Sequence, residues 1–321
     1  IVDINLQFIL ELYTLLCYDC INIIYITLRE TTPSTFVPML IYRINPTRMI
    51  EGNKDNYVDV FHCNNALDIP QMANRLLNKI SPNLPNIEIC SLSRFDYCVN
   101  IKLESQQQVT DSIKLINQAF DPTSGYTQKI MFHTKSYKPK YPKTEATFFK
   151  SKRVEISFYN KRLQLQQENL NDEWHEDILR AEFRCFKSYI NDLYKRFDID
   201  NITDFFEKSI EIGNYVIAYQ LNKLKLDVMF RSSKSIENII KNGTFKAKTK
   251  LDMLLLVEWV SSHKSLKRVI DTCSKSIVNK KLLKKFHKLG ISVKPLPCRS
   301  SLPEPFNLPE LIYKFADAKK V

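Results

Sequence analysis

Three short runs hold side chains that could do chemistry. VEISFYNKRLQL (154–165) sets Tyr159 and Lys161 two apart, and ILRAEFRCFKSYI (178–190) sets Arg180 and Glu182 two apart. SRFDYCVNI (93–101) does the same with Arg94 and Asp96. In a β-strand, residues i and i+2 share a face. Three neighbouring strands would therefore present Arg94/Asp96, Tyr159/Lys161 and Arg180/Glu182 to one surface.

Such a set fits attack on a phosphodiester. A tyrosine can take the phosphoryl group and hold the DNA as a phosphotyrosine, so that bond energy is kept for rejoining. Its phenol is a poor nucleophile at pH 7 and needs help. A divalent cation would polarise the scissile phosphate, and the carboxylates Asp96 and Glu182 suit Mg²⁺ or Mn²⁺. Lys161 could lower the phenol's pKa or stabilise the leaving oxygen. Exposed Tyr and Lys, and an Arg–Glu pair across strands, are also routine on solvated sheet faces, so spacing alone leaves both readings open.

The elements that would position these residues follow from periodicity. The spacing predicts a helix over 68–80, with Pro70 near its first turn. It predicts a strand over 87–103, a helix around 105–120 and a strand over 129–137. TEATFFK (144–150) and RVEISFYNK (153–161) read as a hairpin turned at Ser151-Lys152-Arg153. Residues 178–186 read as one more strand passing into a helix over 187–197. From about Asn201 the pattern turns helical, so the partition expected is an α+β domain over 1–200 and a basic, mainly helical domain with a Pro-rich tail over 201–321.

Charge follows the same partition. The chain of 321 residues carries a net charge of +12, and residues 201–321 hold 23 Lys and Arg against 11 Asp and Glu. The first 200 residues are balanced at 24 of each. A basic module beside a neutral one suggests a polyanionic partner, because Lys and Arg displace counterions from phosphates. The candidate phosphate contacts are Lys264, Lys267, Arg268, Lys280, Lys281, Lys284, Lys285 and Lys288. Only 5 Gly are present, with neither GxGxxG nor GxxxxGK[ST], which argues against nucleotide-driven motors and dinucleotide enzymes.

The eight cysteines include one CxxC pair, Cys17 and Cys20, with no second pair to complete a zinc site. With no secretory signal evident, a reducing cytoplasm is the expected compartment. Residues 1–28 are apolar but interrupted by Asp3, Glu11 and Asp19, so no membrane partner is expected.

The three blocks stand in the order, and at roughly the intervals, of a known pattern. It is that of the gene II-type replication initiators of filamentous phages and related rolling-circle plasmids: an Arg-x-Asp block, a Tyr-x-Lys strand, then an Arg-x-Glu block. INPTRMIEGN (44–53) is similar to the segment that precedes these blocks. The resemblance spans about residues 38–200. It implies an antiparallel-sheet, nicking-endonuclease-like α+β domain and single-strand nicking and joining at a plasmid or phage origin. Tyr159 falls on the nucleophile, Lys161 on its companion, Arg94 and Arg180 on DNA-binding positions. Asn160, Phe95 and Ala181 depart from the pattern without removing a proposed catalytic group. The wider superfamily's His-hydrophobe-His metal pair is missing, and His133 is the lone histidine ligand considered. The expected partners are double- and single-stranded origin DNA, with host helicase and polymerase. The competing readings are a non-catalytic DNA-binding relative and a basic interaction protein without DNA chemistry.

Overall fold

A computed structural model describes residues 24–32, 35–44, 66–132, 144–167, 176–272 and 280–315. The chain divides into two units, Ile1–Leu92 with Leu193–Ile210, and Ser93–Asp192 with Glu211–Val321.

The first unit holds the antiparallel hairpin β1 (Ile24–Thr32) and β2 (Thr35–Tyr42) and helix α1 (Asp68–Ile80). Ile69, Ala73 and Leu77 recur every four residues on α1 and are buried. The strand expected from residue 87 does not start there. Ile87–Ile89 form a 3₁₀ turn in which Cys90 N–H donates to the Ile87 carbonyl. The Ile87 N–H donates to Asn74 Oδ1 of α1 at 2.9 Å. Alternation of Ile87 and Ile89 predicts a strand, but Ile87 is buried and Ile89 is 78% exposed because the turn docks only one of them. This unit also contains α5 (Ile202–Glu207), started by Asn201 in a reciprocal capping box with Asp204.

The second unit is built on a five-stranded antiparallel sheet among the described residues, in the order β3-β7-β6-β5-β4. Its strands are β3 (Arg94–Lys102), β4 (Thr127–Phe132), β5 (Thr144–Lys150), β6 (Val154–Asn160) and β7 (Ile178–Phe186). Helix α2 (Gln106–Ala119) joins β3 to β4 and is capped by the Ser105 side chain. The apolar strand face packs on α2 through β5, β6 and β7: Phe149, Ile156, Phe158 and Phe183 lie against Val109, Ile113 and Ile116, all fully buried, and Val99 and Ile101 of β3 are buried on the same face. Phe120, Phe149, Phe158 and Phe183 form a continuous row with centroid spacings of 5.0, 6.3 and 6.5 Å. The β5–β6 turn falls at 151–153, held by Ser151 N–H donating to the Val154 carbonyl at 2.9 Å.

α3 (Lys161–Gln167) follows β6, and α4 (Lys187–Phe197) follows β7. α6 (Ser209–Leu224) comes close to β3 at Gly213, where an added Cβ would lie 2.9 Å from the Tyr97 ring. α7 (Ser233–Asn242), α8 (Ala247–Ser262), α9 (Leu266–Thr272) and α10 (Lys280–Lys288) share a separate apolar core. It includes Ile240, Met253, Leu256, Val269, Leu282 and Phe286. The last helix, α11 (Leu308–Phe315), packs near β3.

The fold class is thus α+β with an antiparallel sheet. The change to helical periodicity does fall at Asn201, yet the helices from Glu211 onward group with the sheet in one unit. No helix among the described residues is long and apolar enough to cross a membrane.

Candidate functional site

The sheet face opposite α2 is polar, and strand register determines who meets whom. Asp96 pairs with Arg184 of β7, which pairs with Glu155 of β6. Cys98 pairs with Glu182, which pairs with Ser157. Asn100 pairs with Arg180, which pairs with Tyr159. Arg94, Asp96, Tyr159, Arg180 and Glu182 therefore share one face, as their i, i+2 spacing predicts.

Lys161 does not. β6 ends at Asn160, and Lys161 is the first residue of α3. The reason is local: Asn160 Oδ1 accepts from the Leu163 N–H at 3.2 Å, which starts a helix where alternation would have continued the strand. Lys161 is 4% exposed and its Nζ donates to Gln164 Oε1 at 2.8 Å. The cation acting on Tyr159 is Arg180, directly across the β6–β7 pair.

Arg180 is itself buried, and its Nε donates to Asn100 Oδ1 at 2.7 Å. The Tyr159 phenol has its pKa pushed up, first by burial and then by the charge of Glu182. Arg180 opposes this through its charge and a hydrogen bond to the phenol. The folded protein therefore holds the phenol protonated but next to a fixed guanidinium. Cys98, on the same face, is also pushed up by burial, and its Sγ lies 3.4 Å from Glu182 Oε1.

The group that organises the rest is Arg184. Its Nε lies 3.2 Å from Asp96 Oδ2, its Nη1 2.7 Å from Glu155 Oε1 and its Nη2 3.4 Å from Glu182 Oε2. Arg94 Nε adds a hydrogen bond of 2.8 Å to Asp96 Oδ1, and Lys150 reaches Glu155 Oε2 at 3.2 Å. Arg184 was not among the residues singled out from the sequence. Extending the i+2 rule one step beyond Glu182 would have found it, and the same step back from Ser157 finds Glu155.

Asp96 and Glu182 are diagonal neighbours across β3–β7, about 7–8 Å apart between Cα atoms in such pairs. Their hard oxygens are the donors that Mg²⁺ or Mn²⁺ prefers. Each already accepts from Arg184, however, so the donor set as folded does not fit a divalent ion. Among the described residues no group of three His, Cys, Asp or Glu is arranged to hold a metal. His133 lies outside the described residues, as do His62, His175, Cys17, Cys20 and the segment 45–53.

The candidate phosphate contacts lie on α9, α10 and the turn before α9. Lys267, Arg268, Lys280, Lys281, Lys284 and Lys288 are exposed, while Leu282 and Phe286 turn the other face of α10 into the core. Lys267 pairs with Asp271 one helical turn on, and Lys285 Nζ sits 5.0 Å from the Phe245 ring centroid. Lys280 and Lys284 also line a cavity of about 170 Å³ with Lys225, His287 and apolar Leu283, Ile291 and Val293. His287 Nε2 is 2.8 Å from Asp227 Oδ1.

Comparison with protein-family models, with curated proteins and with solved structures returns no match for this chain.

Proposed function

We propose that the chain is a rolling-circle replication initiator that cuts one DNA strand and rejoins it through Tyr159. The observation that carries this reading is the direct cross-strand pairing of Tyr159 with buried Arg180 on the face that also holds Arg94, Asp96 and Glu182. A phenol beside a fixed guanidinium is suited to a phosphodiester, because the cation meets charge on both the nucleophile and the phosphoryl oxygens.

In the proposed step the Tyr159 oxygen attacks phosphorus as the bond to the 3′ oxygen breaks. The phenol proton passes to Glu182, whose charge already acts on the phenol. The 3′ oxygen takes a proton from solvent and leaves as the hydroxyl that primes synthesis. One phosphate ester replaces another, so the step reverses without an energy source, and reverse attack closes the displaced circle. Because burial disfavours free phenolate, proton removal must accompany attack. The exposed lysines of α9 and α10 hold the DNA backbone, and host helicase and polymerase extend the exposed end.

A second reading rests on the same face. A phenol held protonated and carboxylates closed on Arg184 describe a surface that binds a polyanion without cutting it.

Supercoiled DNA carrying the origin, incubated with the protein with and without Mn²⁺, separates the two. Nicked circles bearing covalently attached protein support cleavage. Retarded but intact circles support the second reading, and unretarded circles refute both.

A further inference from the structure

The cavity beside α10 lies within the second unit, and four pieces of chain make it. They are the end of α2 with the turn at 121–123, the loop 225–228 after α6, the first residue of α9, and α10 running on into 291–293. Its deep lining is apolar: Val228, Leu266, Ile291 and Val293 are all buried. Two backbone hydrogen bonds hold 225–228 against 291–293, from Met229 N–H to the Gly290 carbonyl and from Ser292 N–H to the Met229 carbonyl, both at 2.9 Å. A preformed apolar hollow of this kind is the usual form of a ligand site.

Its mouth is cationic. Lys280 and Lys284 stand one turn apart on α10, both exposed, and Lys225 lines the cavity from the loop after α6. The carboxylate in the lining, Asp121, is buried, and its Oδ1 accepts from the Thr123 N–H at 2.8 Å. His287 is fixed in the wall: its Nε2 lies 2.8 Å from Asp227 Oδ1, and Asn222 Nδ2 donates to Asp227 Oδ2 at 2.8 Å. Apolar depth with a lysine mouth selects a ligand that has a flat apolar body and an anionic group beside it. At about 170 Å³ the cavity is smaller than the roughly 300–1,000 Å³ of sites for drug-sized molecules, so it takes a single ring system. Exposed Lys281 and Lys288 carry the positive surface along α10 beyond the mouth, as a chain of phosphates requires.

We propose that this cavity takes one unstacked base of a single DNA strand, with the flanking phosphates on Lys225, Lys280 and Lys284. The chemistry recognised is that of a nucleoside phosphate, so a free nucleotide is the other source. The inference rests on the function proposed above only in favouring the strand.

Fluorescence anisotropy of the full chain at fixed salt tests it, with a labelled oligothymidylate and an abasic strand of equal length and charge. The wild type should bind the thymidine strand about fivefold or more tighter, the gain from burying one base. Leu283→Trp fills the cavity and should lose most of that preference while keeping its affinity for the abasic strand. If Leu283→Trp melts well below wild type, two lysine pairs decide instead. Lys280→Ala/Lys284→Ala and Lys281→Ala/Lys288→Ala remove equal charge from one helix, and the first should lose more affinity for the thymidine strand. Thymidine 5′-monophosphate distinguishes the sources: a wild-type Tm raised by it, with no preference between strands, assigns the free nucleotide. Equal binding of both strands with no such rise overturns the site. So does a preference that survives in folded Leu283→Trp, or equal losses in the two lysine pairs. A base preference in a protein that forms no covalent adduct keeps this site while refuting cleavage, and an adduct without the preference does the reverse.

Discussion

Replacing Arg184 by Met removes the guanidinium that three carboxylates share and keeps the length of its apolar stem. Asp96, Glu155 and Glu182 are then left together on one sheet face. The side chains are 26% exposed for Arg184 and 23%, 14% and 18% exposed for the three acids. Breaking a fully buried ion pair from one side costs about 3–5 kcal/mol, and an exposed pair is worth about 0–1 kcal/mol. The intermediate burial here places the loss at about 2–3 kcal/mol, or about 5–10 °C in a unit of this size. The substitution also frees the donor set that does not fit a divalent ion in the wild type. Mn²⁺ at about ten times its Kd should then return about 1.4 kcal/mol to the variant and nothing comparable to the wild type. Differential scanning fluorimetry with and without Mn²⁺ reads both effects. A variant that melts within about 1 °C of wild type, or equal Mn²⁺ shifts in both proteins, would refute the placement of Arg184 at the centre of the site.

Other substitutions probe the frame that holds this face. Phe158→Ala removes a ring with no exposure from the middle of the aromatic row and should cost about 3–5 kcal/mol in urea unfolding. Gly213→Ala forces a Cβ to 2.9 Å from the Tyr97 ring and should cost about 1–3 kcal/mol; a neutral result would mean that the ring simply moves aside. Lys294 gives a pH signature. Burial lowers its pKa from 10.5 to about 8, so across that window the unfolded chain binds more protons than the folded one. Stability therefore rises with pH between about 8 and 10.5, and Lys294→Met should flatten that slope in urea midpoints taken along the range.

Much of the face was legible because a strand has a period of two. That rule puts Arg94 with Asp96 and Arg180 with Glu182 on one face of their strands from spacing alone, and strand pairing then brings Tyr159 beside them. It fails at Lys161, where the Asn160 side chain offers a hydrogen bond to the Leu163 N–H and turns the chain into a helix. It fails again at 87–89, where Asn74 captures the Ile87 N–H and a turn replaces the strand. Arg184 was visible to the same rule, but its importance comes from register. Only pairing brings Asp96 and Glu155 to its two sides. Lys294 shows the opposite limit. In the sequence it is one lysine among many in a basic segment, and its burial comes from a run that periodicity does not report. The change of pattern at Asn201 likewise marks a capped helix rather than the edge of a packed unit.

The most direct test of the central proposal is chemical capture of the tyrosine. The protein is mixed with a pool of random single strands labelled at the 3′ end, then denatured in SDS and resolved. If Tyr159 attacks a phosphodiester, label remains with the protein, and peptide mass mapping places a 5′-phosphodeoxynucleotide on Tyr159. Tyr159→Phe then loses the labelled band while still shifting the DNA. A labelled band of undiminished intensity in Tyr159→Phe, or an adduct mapped to another residue, would contradict it.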